Sequence, residues 1–583
     1  MKLLWCLLVV GAVALLGLPQ VSAEVKWWQK TVVYQIYPRS FKDTNGDGIG
    51  DLNGITQGLT HIKDAGAQAI WLSPIFKSPM YDFGYDIANF KEIQPEYGTM
   101  QDFDNLLLAA KNLDIKVILD FVPNHSSNES DWFNLSANRT QGYENYFVWA
   151  DGKPDPNNTG KTLPPNNWVS VFRKSAWEWN AVRGQYYLHQ FVIGQPDLNY
   201  REPRLVEEMK SVLRFWLDKG VGGFRVDAVP FLFEVDPKDF GGKFPDEPLS
   251  NIIGPSPDDN DYTDHIYTQN QEPTYDMIYQ WRAVLDEFEQ KDGEPRVMLV
   301  EAYTDIKNVM RYYGNGTVLG AHLPFNFEFL NGINNNSDAR DMKFFIDKWQ
   351  TYMPVGQTAN WVNGNHDNPR MATKQGIERA DIMNMIALML PGVALTYQGE
   401  ELAMTNGEVS WEETKDPQGC NTEDPINYNK VSRDPARTPF QWDDSVNAGF
   451  STANTTWLPV ASNYKTVNLK AQQAAPKSHF KFYKDVVALR NTTVQIEGDL
   501  TTKAITSDVL AIMRSLPNQS TTVAIANLAT TAQTVDLTPF FRALPAELVV
   551  YTSGISSKLE KGTRVKTASL TLSPYDAVVL VTP

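Results

Sequence analysis

Six short apolar runs rich in β-branched and aromatic residues recur along the chain, at Thr31 to Tyr37, Ala69 to Leu72, Lys116 to Phe121, Gly222 to Asp227, Val297 to Val300 and Ala394 to Tyr397. The stretches between them carry helical spacing rather than tight turns. Strands joined by helices lie parallel and are buried on both faces, which is why such runs read as continuously apolar instead of alternating. One of the crossovers is explicit. Leu205, Met209, Val212, Leu213 and Trp216 fall on one face of a predicted helix, and Gly220 is placed to cap it.

Polar residues crowd in as soon as the strands end, as in Asp120-Phe121-Val122-Pro123-Asn124-His125 and Arg225-Val226-Asp227. In a (β/α)8 barrel the C-terminal strand ends are where chemistry is done. Two segments depart from the rhythm. Residues 126–194 are rich in Asn, Pro, Gly and Trp, and from 491 onward short alternating strands such as Thr521 to Asn527, Glu547 to Tyr551 and Ala577 to Val581 are separated by turn residues. The expected architecture is an α/β (β/α)8 TIM barrel over residues 24–125 and 195–490. A loop-rich subdomain (126–194) is inserted after the third strand, and an antiparallel β-sandwich (491–583) follows. A length of 583 residues accommodates that plan.

The N-terminus carries an address. Lys2, an apolar run from Leu3 to Leu18 and the triplet Val21-Ser22-Ala23 form the pattern of a secretory signal over residues 1–23. The run is short for a membrane span, so a secreted product without a membrane anchor is expected. Ten N-x-S/T sequons suit that destination. Asn124 ends a strand-like run and is set aside; Asn128, Asn134, Asn138, Asn157, Asn315, Asn335, Asn454, Asn491 and Asn518 are the expected glycan acceptors. Cys6 departs with the signal and Cys420 is then alone, so no intrachain disulfide is expected. With Lys2 removed, 51 basic residues face 69 acidic ones, and a formal charge of −18 argues against a nucleic-acid partner.

Glycoside hydrolysis on a barrel needs two carboxyl groups and a set of groups for sugar hydroxyls. Asp227, Glu301 and Asp367 each follow an apolar strand or approach, and Arg225, two residues before Asp227, points the same way and favours its ionised form. A second motif, Asp43-Thr44-Asn45-Gly46-Asp47-Gly48-Ile49-Gly50-Asp51, sets oxygen donors at alternate positions as hard-cation loops do. It is not an EF-hand, since position 12 is Gly54. The expected ligands of a structural Ca²⁺, or Mg²⁺, are Asp43, Asn45, Asp47 and Asp51 with the Ile49 carbonyl. No organic cofactor is expected. The insert's Trp149, Trp168, Trp177 and Trp179 are expected to pack a core more than to stack on sugars.

Seven blocks in order carry a resemblance: AQAIWLSPIF (67–76), DFVPNH (120–125), QPDLN (195–199), GFRVDAVP (223–230), LVEAY (299–303), NGNHD (363–367) and PGVALTYQGEE (391–401). The chain resembles the α-amylase family of glycoside hydrolases, and within it the insect maltases and α-glucosidases. The resemblance implies Asp227 as nucleophile, Glu301 as general acid then base, and Asp367 as the residue gripping sugar hydroxyls in the transition state. It implies His125 and His366 on the same ring, Arg225 orienting Asp227, and Asp82 with Tyr85 closing a terminal-glucose pocket in which Arg437, rather than Arg433, pairs with Asp82. Ala228, directly after the nucleophile, stands where that group touches the second sugar. Small residues there accompany α-1,4 preference, and valine accompanies α-1,6 cleavage. The expected function is a secreted retaining maltase acting on maltose-like oligosaccharides and sucrose.

Relatives with other roles share the barrel. The heavy chains of amino-acid transporters have lost catalytic carboxylates, all three of which are present here, and sucrose isomerases carry an Arg-Leu-Asp-Arg-Asp loop absent from this sequence. A receptor or binding protein built on the same barrel is a further alternative.

Overall fold

The structure is a computed structural model that describes residues 25–157, 160–541 and 543–583. The expected signal segment lies outside them, as does Thr159 of the Asn157 sequon. Eight parallel strands form the barrel: β1 (Val32–Ile36), β2 (Ala69–Leu72), β3 (Lys116–Phe121), β4 (Gly223–Val226), β5 (Val297–Val300), β6 (Leu323–Pro324), β7 (Asn360–Val362) and β8 (Val393–Tyr397). Ladders join β1 through β6 in sequence, β7 to β8, and β8 back to β1. The β6–β7 seam is closed differently. The Asn360 amide donates to the Pro324 carbonyl (2.6 Å) and accepts from the Asn326 N–H (2.8 Å), replacing a ladder that two- and three-residue strands cannot build.

The expected crossover helix runs Pro203–Lys219. Pro203 opens it, Gly220 (φ 99°) ends it, and Leu205, Met209, Val212, Leu213 and Trp216 are all buried. Register then explains the site. In the ladders Arg225 of β4 lies opposite Asp120 of β3 and Leu299 of β5, so the guanidinium and the Asp120 carboxyl point together into the barrel mouth.

Beyond β3, Trp149–Ala150, Gln185–Leu188 and Trp177–Asn180 make a three-stranded antiparallel sheet. Trp168 and Trp177 are buried and stack at 5.6 Å, Trp149 is half-buried, and Trp179 is exposed. A bridge from Asp197 to His125 ties the base of this region to the end of β3. At the C-terminus, six antiparallel strands between Asp499 and Val581 form one layer. The two-stranded ladder Gln533–Val535 with Leu570–Leu572 packs Val535, Leu570 and Leu572 against Val523, Ile525 and Leu580 of that layer.

The acidic loop 43–51 is closed by its own side chains. Asp43 accepts from the N–H groups of Asn45, Gly46 and Gly48 and from the Ser451 hydroxyl, Asp47 accepts from Ile49 N–H, and Asp51 accepts from Thr44 and Gly54 N–H. Among the described residues no group of three or more His, Cys, Asp or Glu side chains is gathered as a metal centre. The alternating oxygens are chemically those of a hard-cation loop; Asp43 already accepts four donors, whereas Asp47 accepts two and keeps acceptor capacity. Of the sequon asparagines, Asn124 is buried and Asn128 half-buried, while Asn134, Asn138, Asn157, Asn315, Asn335, Asn454, Asn491 and Asn518 are exposed. Cys420 is exposed with a free thiol.

Candidate active site

A cavity of about 390 Å³ opens at the C-terminal ends of the barrel strands. Arg225 organises its floor. One terminal nitrogen bonds Asp120 (2.8 and 3.0 Å) and Asp227 (2.6 Å), and the other reaches Glu301 (2.8 Å). Asp227 and Glu301 are therefore two carboxyls on one guanidinium, each at the end of its own strand. Glu301 is further fixed by the Ala228 N–H (3.0 Å). To present that N–H, Ala228 adopts φ 47°, a left-handed conformation that costs a non-glycine residue about 1–2 kcal/mol.

Burial dominates the titration of this pair. It pushes Glu301 up to about 8 and Asp227 up to about 7, with Arg225 opposing both. Glu301 thus holds its proton more tightly, the order expected from sequence. Asp227, expected to ionise readily, is instead raised, because Arg225 divides its charge among three carboxyls and cannot offset the lost hydration. A hydrogen bond from Glu301 helps hold Asp227 ionised. Asp367 behaves oppositely: against the pull of burial, the Arg433 and Arg437 guanidiniums hold it well below the usual carboxylate range.

The far end of the cavity is an ion-pair network. Arg433 reaches Asp82 (2.7 Å), Asp367 (3.1 Å) and Asp416 (2.6 Å), whereas Arg437 bonds Asp367 (2.9 Å) and the His366 carbonyl (2.8 Å). The expected Asp82–Arg437 pair is thus corrected to Asp82–Arg433. The two arginines flank the one-turn helix Asp434–Ala436, which turns Arg437 inward beneath Asp367 and leaves Arg433 to span the cavity wall. Asp416 is fully buried and also accepts Arg433's own N–H (2.6 Å), so it holds the arginine at both ends.

Asp82, Tyr85, His125, Ala228, Asp227, Glu301 and Asp367 line the cavity. Arg225, His366 and Arg437, expected to bind substrate, are not among its lining residues and bond the carboxylates and ring groups that are. His366 accepts from Gln35 (2.8 Å) and donates to the Tyr85 hydroxyl (2.6 Å), which donates to Asp120 (3.2 Å). His125, lowered to about 3 by burial, is neutral and donates to the Tyr85 carbonyl (3.0 Å). Residues the sequence reading gave no role include Asp120, Asp416, Gln195 and the rim residues Phe172, Phe191 and Tyr303. Asp120 and Tyr303 stood inside recognised blocks; Asp416 carries no sequence signal.

Comparisons with known proteins agree with this geometry. Residues 35–498 match the family model described as "Alpha amylase, catalytic domain". The chain is 51% identical to Maltase A1 of Drosophila melanogaster over 98% of this chain and 99% of that protein. It is 47% identical to a salivary alpha-glucosidase of Anopheles gambiae over 95% and 93%. Among solved structures, the alpha-glucosyl transfer enzyme XgtA superimposes with a TM-score of 0.81 at 31% identity, over 96% of this chain and all of that one. A matched barrel, a pair of carboxyls sharing one arginine at its mouth, and near-full-length likeness to insect maltases together place this chain in the α-amylase family of glycoside hydrolases, in its insect maltase and α-glucosidase group.

Proposed function

We propose that the chain is a secreted, retaining α-glucosidase that removes single glucose units from the non-reducing ends of maltose-like α-1,4 oligosaccharides, and from sucrose. The observation that carries this reading is that one Arg225 guanidinium holds both Asp227 (2.6 Å) and Glu301 (2.8 Å) at the cavity floor, which supports the close spacing of a retaining pair over the wider spacing of an inverting one. In the first step the Asp227 carboxylate attacks the anomeric carbon while Glu301 gives its proton to the glycosidic oxygen, so the C–O bond breaks and a β-glucosyl ester forms. In the second, Glu301, now ionised, takes a proton from water, whose oxygen displaces Asp227 and yields α-glucose. Asp367, kept ionised by its arginines, accepts from sugar hydroxyls as positive charge builds on the ring.

The Asp82–Arg433 pair walls off the pocket beyond one sugar, which supports exo action. Ala228 at the rim supports preference for α-1,4 over α-1,6 linkages. Salivary relatives support secretion, and among the described residues no helix is long and apolar enough to cross a membrane. The covalent ester met by a sugar hydroxyl instead of water would give transfer, the activity named for XgtA. A Ca²⁺ or Mg²⁺ on the 43–51 loop is proposed as a structural ion with no part in the chemistry. The reading is tested by incubating Asp227→Ala with maltose: turnover falls by several orders of magnitude in a folded protein, and a variant retaining more than about one part in a hundred refutes it.

A further inference from the structure

Tyr303 lies two residues beyond Glu301 and lines the same cavity. Its ring stacks on Phe327 with centroids 4.3 Å apart at 18°. Tyr303 is 39% exposed, whereas Asp82, Tyr85, His125, Asp227 and Glu301 are all at most 7% exposed. It is therefore the more open part of the lining, two residues along the chain from the proton donor.

The hydrogen bonds around its hydroxyl admit one assignment. Asn365 Oδ1 accepts from the Asp367 N–H (3.0 Å) and from Asn368 Nδ2 (2.9 Å), which fixes the Asn365 amide with its nitrogen toward Tyr303. Asn365 Nδ2 (3.0 Å) and Asn368 Nδ2 (3.1 Å) then both donate to Tyr303 Oη. A phenol oxygen has two lone pairs and one hydrogen. Both lone pairs are engaged, and among the described residues no protein acceptor takes the hydrogen. The hydroxyl can only donate, and it belongs to a residue that lines the cavity.

We propose that Tyr303 is a specificity-determining residue whose hydroxyl donates to an oxygen of the departing sugar, so that the pocket favours a second sugar over leaving groups that offer no hydroxyl there. The proposal rests on the α-glucosidase reading and names the group that reads the leaving side. When Glu301 protonates the glycosidic oxygen, the hydrogen bond from Tyr303 holds the departing ring in line with that proton. A leaving group with nothing to accept the hydrogen bond gains none of this.

The test compares wild type and Tyr303→Phe on maltose and on phenyl α-glucoside, whose leaving group has no further hydroxyl. Loss of one such hydrogen bond lowers kcat/KM for maltose about 10- to 100-fold, with phenyl α-glucoside changed less than about threefold. Inhibition by glucose, which occupies only the closed end, is unchanged in the variant. Equal losses on both substrates, or a weakened glucose inhibition constant, mean that Tyr303 supports the site structurally and overturn the proposal, as does an unchanged maltose-to-phenyl-glucoside ratio. Wild type inactive on both substrates refutes the α-glucosidase reading itself, a result distinct from the others.

Discussion

Arg433 Nη2 lies 2.7 Å from Asp82 Oδ1, and the same guanidinium touches Asp367 at 3.1 Å, so one side chain joins the wall of the pocket to the carboxylate at its reacting centre. Arg437 bonds Asp367 and the His366 carbonyl instead, and among the described residues it makes no bond to Asp82.

That difference gives opposite kinetic signatures. Asp82→Asn weakens the closed end and raises KM for maltose about tenfold or more, with a smaller change in kcat, because the lost contact is made to the bound ring throughout. Arg437→Lys loosens Asp367 and lowers kcat with little change in KM. Steady-state kinetics on maltose separates the two; equal effects on KM in both variants contradict the assignment.

The raised carboxyl pair sets the pH profile. On the proposed mechanism turnover needs Asp227 ionised and Glu301 protonated, so kcat/KM forms a bell whose limbs belong to the pair, at about 7 and about 8. Glu301→Gln abolishes the basic limb for a substrate with a good leaving group. A basic limb that persists in this variant shows that another group is the acid.

The same groups affect stability with a definite sign. Their folded pKa values lie above their unfolded ones, near 4, so the stability they contribute is complete below about pH 4 and is lost as pH rises through about 7 and 8. The melting temperature of Glu301→Gln minus that of wild type therefore increases from pH 5 to pH 8.5. A difference independent of pH contradicts the burial account.

On the proposed function, linkage preference is carried at Ala228. Wild type favours maltose over isomaltose by tens-fold to a few hundred-fold, since one small side chain is worth about 1–3 kcal/mol. In Ala228→Val that ratio falls, although the left-handed backbone at φ 47° strains a β-branched residue and lowers the melting temperature as well. An unchanged ratio of kcat/KM values assigns linkage choice to the insert.

If the 43–51 loop holds a cation, a chelator lowers the melting temperature, restored by Ca²⁺ or Mg²⁺, while kcat of the still-folded enzyme is unaltered. No shift, together with no metal by elemental analysis, removes the ion from the account.

Much of this fold was legible because its signals are local. Six barrel strands show as apolar runs, and the Pro203–Lys219 helix shows in its spacing and its terminal Gly220. β6 and β7, two and three residues long, fall below any periodic signal, and their seam depends on one side chain, Asn360. At the site, Asp227, Glu301 and Asp367 follow apolar approaches and could be named. The partner of Asp82 could not, because Arg433 and Arg437 sit four residues apart in one motif and only the intervening turn decides which faces the pocket. Asp416 reaches Arg433 from another loop and is silent in sequence.

The central claim, retention by an Asp227–Glu301 pair, is tested most directly by proton NMR of maltose hydrolysis at early times, before mutarotation. The account predicts that glucose released from the non-reducing end appears first as the α-anomer. Its first appearance as the β-anomer would contradict the account.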